Sequence, residues 1–152
     1  MANVQAICTS FKSEAMTALH ALGTTVTRGG TGADTVKAAL YVATAGTQGA
    51  ATTAYSATNE VSGTGYSAGG VTVTNATAPT TSGTTAFWTP SASIVYTTVT
   101  LTTAFDCVTI YNSTQSNRAI GVYTFGSQTI TAGTFTITMP VNDASNGLVR
   151  IA

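Results

Sequence analysis

The chain has 152 residues, with five acidic and five basic side chains and a formal net charge of zero. Charged residues make up only 7% of it, against about 25% in ordinary globular proteins. Lys12, Arg28, Lys37, Arg118 and Arg150 are scattered singly, so no basic stripe exists to meet a nucleic acid, and no apolar run approaches the roughly 18 residues that span a membrane.

Threonine takes the place of charge, at 34 residues. It is β-branched, which favours strands, and its hydroxyl keeps an exposed strand face wet. A net charge near zero is poor for keeping a free monomer in solution, which points to life in an assembly, the alternative being that threonine and serine hydroxyls suffice for solubility. Cys8 and Cys107 are too far apart to form a disulfide framework and read as ordinary, partly buried thiols. The first residues lack the apolar core of a signal peptide, so folding in a cytoplasm is expected. A chain of this length suits one domain over residues 1–152.

Val4, Cys8, Phe11, Ala15, Leu19 and Leu22 recur at three- and four-residue steps. That spacing predicts an amphipathic helix from about residue 3 to about residue 22, stopped by Gly23. His20 falls at the edge of its apolar face, where a surface position is expected. The glycine-rich run 23–34 lacks the spacing of a phosphate loop.

A β region is expected over about residues 35–152. Residues 35–44 alternate, with Val36, Ala38, Leu40 and Val42 on one side. The polar stretch 45–70 is long for a loop in a compact domain, and such loops are usually functional or mobile. Val71 and Val73 begin another strand. Phe87 and Trp88, ahead of Pro90, predict a short edge strand. Residues 94–102 predict a strand of mixed faces. From Phe105 onward three short strands are expected, FDCVTIYN, RAIGVYTF and TAGTFTITM, separated by STQSN and GSQTI. The first carries large side chains on both faces and should be central and covered on both sides. The fold class is therefore mainly β, an antiparallel sandwich or barrel-like domain with one N-terminal helix.

Chemistry is not visible in this inventory. There is one histidine, and Asp34, Glu60, Asp106 and Asp143 are dispersed. No GxSxG nucleophile motif and no calcium-loop pattern is present, so neither an enzyme nor a metal or cofactor site is expected.

The order of the pieces resembles a family of small proteins encoded in the structural gene clusters of tailed bacteriophages, often labelled tail-fibre-like. The likeness lies in the leading helix, the strand VKAALYVAT, the loop NEVSGTGY at residues 59–66 running into VTV, and more loosely FWTPSA, FDCVTIYN and TITAGTFTITM. The loop is its most specific part. After Tyr66 the chain has Ser67-Ala68-Gly69-Gly70 where the family pattern leads one to expect an arginine. The resemblance implies a non-enzymatic virion protein, made in the host bacterial cytoplasm, that packs against capsid or tail subunits and forms a homo-oligomer. A capsid decoration or cement protein is favoured over a tail-fibre, neck or collar component. The alternative from another class is a receptor- or carbohydrate-binding module using Trp88, Tyr55 or Tyr66 in an exposed groove. Within the loop, Glu60 is expected to accept hydrogen bonds from amides of the glycine-rich turn. Gly63 and Gly65 would supply positive φ, and Tyr66 would pin the loop by packing. A contact surface for a neighbouring subunit is the functional alternative for the same residues.

Overall fold

The computed structural model describes residues 2–23 and 32–152. In chain order the elements are β1 (Ala6–Ile7), α1 (Thr9–Met16), β2 (Val36–Val42), β3 (Val71–Thr72), β4 (Thr80–Ser82), β5 (Thr85–Trp88), β6 (Ile94–Asn112), β7 (Arg118–Ile137) and β8 (Val149–Ile151). They form a five-stranded sheet in the order β1-β7-β6-β2-β3 and a three-stranded sheet in the order β4-β5-β8. Every pairing between these strands is antiparallel. The fold is mainly β, and neither sheet closes into a barrel.

β6 is the axis of the larger sheet. It pairs with β7 along its whole length and with β2 from Phe105 to Asn112. Between Phe105 and Asn112 every side chain except Asp106 is buried, as large side chains on both faces require. Leu40, Tyr41, Val108 and Ile110 join Trp88 and Val149 of the smaller sheet in one core.

Two long strands replace the several short ones expected. GSQTI does not turn. It continues β7, which pairs with β6 as far as Ile137↔Ile94. Thr, Ile and Val dominate both strands, and the chain absorbs the interruptions as register shifts along the ladder. The true reversal is STQSN, where Ser116 and Asn117 take φ of 50° and 59°. Asn112 anchors it, since Oδ1 accepts from the N–H groups of Thr114 (3.1 Å) and Gln115 (3.2 Å).

The helix is much shorter than the periodicity predicts. Residues 6–7 are extended beside β7, and the Cys8 N–H donates to the Ile120 carbonyl at 3.1 Å. The helix stops at Met16, where Ala18 takes φ 55° and the Leu19 N–H closes onto the Glu14 carbonyl at 3.0 Å. Val4 is consequently 60% exposed instead of lying on an apolar stripe, while Phe11 is buried. The glycine-rich run expected at 23–34 falls largely outside the described residues. Phe87 and Trp88 are also placed differently. Their strand is the middle one of its sheet, because the C-terminal β8 pairs on its far side.

Candidate functional site

The loop 59–66 lies along β2 and β6. The Val42 and Val61 N–H groups bond across to the Asn59 and Leu40 carbonyls, both at 3.0 Å, so residues 59–61 extend the sheet past the end of β3. Thr64 then bridges to Thr100 of β6, whose N–H donates to the Thr64 carbonyl at 2.9 Å.

Glu60 is the node. Its Oε1 accepts from the Tyr66 hydroxyl (2.7 Å) and the Gly69 N–H (2.8 Å), and its Oε2 accepts from the Tyr55 hydroxyl (2.7 Å). Charge-assisted bonds of this kind are roughly twice as strong as neutral ones. Tyr66 in turn accepts from the Leu40 N–H at 3.0 Å, which ties the clasp to β2. Its ring stacks on Tyr96 at 5.9 Å, and Tyr55 stacks on Tyr111 at 4.8 Å. Burial, and then the nearby Glu60 carboxylate, pushes the Tyr55 and Tyr111 phenols up to about 12. Tyr66 and Tyr96 are raised further for the same reasons.

Both loop glycines are needed, for different reasons. Gly65 has φ +78°. Gly63 does not take positive φ. It is required because a Cβ there would run into the Thr100 carbonyl oxygen.

Trp88 does not belong to this site. It is 1% exposed, and its indole N–H donates to the Thr77 carbonyl at 3.0 Å. It lines a cavity of about 180 Å³ between α1 and the smaller sheet, with Phe11, His20, Phe87 and Val149 on the other walls.

A second polar centre was not legible in the sequence. Glu14, His20, Asp34, Asn112 and Arg118 meet at the hairpin tip. Asn112 is fully buried, and its Nδ2 donates to Asp34 Oδ2 (2.7 Å) and to His20 Nδ1 (3.0 Å). The amide orientation follows from Oδ1, which accepts two backbone N–H groups. Nδ1 of His20 is therefore an acceptor, and the ring proton sits on Nε2, 2.9 Å from Glu14 Oε2. Arg118 Nη1 holds the other oxygen of Glu14 at 2.7 Å. The Ala21 N–H adds a bond to Asp34 Oδ2 at 2.7 Å. His20 thus lies beyond the helix with only 2% of its side chain exposed, instead of on a helix surface. Both ring nitrogens are engaged, so neither offers a free lone pair to a substrate or a metal.

Cys8 and Cys107 are free and fully buried. Burial raises their thiols to about 11 and about 12, which leaves them weak nucleophiles. Among the described residues no three His, Cys, Asp or Glu side chains gather as a metal set, and no helix is long and apolar enough to cross a membrane.

No family model, no curated protein and no solved structure matches this chain.

Proposed function

We propose that the chain is a non-enzymatic structural protein of a tailed-bacteriophage virion, a capsid decoration or cement protein that packs against other virion subunits. The observation that carries this reading is the Glu60 clasp. The residues most specific to the resemblance are engaged in holding a loop flat against the sheet. Three donors converge on one carboxylate, all of them from residues 55–69 of the same chain. That is a use of charge for shape. The composition supports it too, since a surface of threonine hydroxyls with few charges suits close, neutral packing between subunits.

The receptor- or carbohydrate-binding alternative has less support. Trp88 is buried, and the rings of Tyr55 and Tyr66 are stacked on Tyr111 and Tyr96 instead of lining an open platform together. Quantitative mass spectrometry of purified particles, with and without tails, tests the proposal. A decoration protein is present in tail-less heads at a copy number matching the capsid lattice. Presence only with tails moves it to the neck or tail-fibre alternative, and absence from both preparations overturns the virion role.

A further inference from the structure

The outer half of β7 has a strand on one side only. β1 pairs with it only at Gly121 and Val122, and among the described residues no other strand runs beside Gly126–Ile137 on that side. A strand edge is a directional template of N–H and C=O groups that another extended chain can satisfy. Proteins that avoid such pairing blunt their edges with charge, proline or bulges. Here no charged residue occurs between Arg118 and Asp143, and the first proline is Pro140, beyond the strand. The blunting devices in β7 are two irregularities, one between Thr124 and Gln128 and one at Ala132, where φ is 45°. They leave the end of the strand, Phe135–Ile137, in regular register with Ile94–Tyr96.

With its two flanking threonines, that end reads Thr134-Phe135-Thr136-Ile137-Thr138. Its pattern of polar and apolar residues reads the same in both directions about Thr136. We infer that a second copy of this chain pairs here, antiparallel, about a two-fold axis at Thr136, joining two five-stranded sheets into one. In that register Thr136 faces Thr136 of the other copy, Thr134 faces Thr138, and Phe135 faces Ile137. The threonines are exposed, so they meet as cross-strand hydroxyl pairs on the outer face. Phe135 and Ile137 are half-buried and packed on the core, so the apolar face continues across the joint. A two-fold contact must be self-complementary, and this edge is. A zero net charge adds no long-range repulsion between copies. A partner with a charged edge would leave its charges opposite threonine and apolar side chains. The inference rests on the reading of the chain as a subunit of an assembly and names one contact in it.

The test uses the full chain. Sedimentation of the wild-type protein over a concentration series should show a dimer. Thr136→Lys, which sets two like charges opposite each other, should weaken it roughly tenfold while leaving the far-ultraviolet circular dichroism unchanged. Thr136→Cys should form a disulfide-linked dimer under mild oxidation, because Cys8 and Cys107 are buried and the new thiol reacts alone. Thr131→Cys, which the two-fold register sets far from its own copy, should not. A wild-type protein that stays monomeric, or a folded Thr136→Cys protein that fails to cross-link to itself, overturns the edge pairing. Particle composition separates this outcome from the virion role. A monomer found in particles sinks only the pairing, and a dimer absent from them sinks only the role.

Discussion

Tyr66 donates its hydroxyl proton to Glu60 at 2.7 Å and receives the Leu40 N–H at 3.0 Å, so one phenol oxygen fastens the 59–66 loop to β2. Removing Glu60 leaves three donors without their acceptor. Glu60→Ala should cost about 2–3 kcal/mol in urea unfolding, and Tyr66→Phe about 1 kcal/mol. Glu60→Gln keeps the shape but turns one acceptor into a donor, and should fall between the two. A Glu60→Ala protein as stable as wild type would show that the clasp does not hold the loop.

Asn112 ties the hairpin turn to Asp34 and His20. Asn112→Ala should cost roughly 2–4 kcal/mol, because it takes one hydrogen bond from the buried Asp34 carboxylate and removes the acceptor of the Thr114 and Gln115 amides at the turn. The chain has one histidine, so its ring nitrogens can be assigned without ambiguity. Nitrogen chemical shifts of the neutral ring should show the proton on Nε2. In Asn112→Ala that preference should relax, since Nδ1 loses its donor. A wild-type ring carrying its proton on Nδ1 would contradict the network.

All six tyrosines are held neutral more strongly in the fold than in the unfolded chain, with burial as the leading cause. The native state therefore binds more protons wherever unfolded phenols ionise, near their ordinary value of 10.0. The stability this contributes is whole below that pH and is lost as pH rises toward about 12, where Tyr55 and Tyr111 titrate. Phenolate absorbance should be nearly flat through pH 10 and then rise together with unfolding. A simple titration of several tyrosines near pH 10 with the fold intact would refute the burial argument.

Phe11 is 3% exposed, with its ring 4.8 Å from that of His20. α1 packs beside β7 of its own sheet. Phe11→Ala should lower the protein's own stability by about 3–5 kcal/mol, and the neighbouring exposed Lys12→Ala should change little. Thermal melts of the two variants check this. An unchanged melt for Phe11→Ala with reduced incorporation into particles would assign the helix to a neighbouring subunit.

The period-two alternation of residues 36–42 and 134–139 and the double-sided apolar run at 105–111 were legible in the sequence, because side chains on a strand alternate by geometry. So was the loop of Glu60, Gly65 and Tyr66, whose parts lie within a few residues of one another. The remainder depended on partners distant in the chain. GSQTI resembles a turn locally, yet it stays extended because β6 runs beside it from Ile94 onward. The helical spacing of Val4, Cys8, Leu19 and Leu22 was overridden at both ends. A ladder to β7 draws out one flank, and the Asp34–Asn112 cluster draws out the other. His20, Asp34 and Asn112 carry no periodic signal, and the bond from Asn112 to Asp34 spans 78 residues. Only the folded chain brings them together, because hydrogen bonds between buried polar groups depend on spatial neighbours and not on sequence spacing.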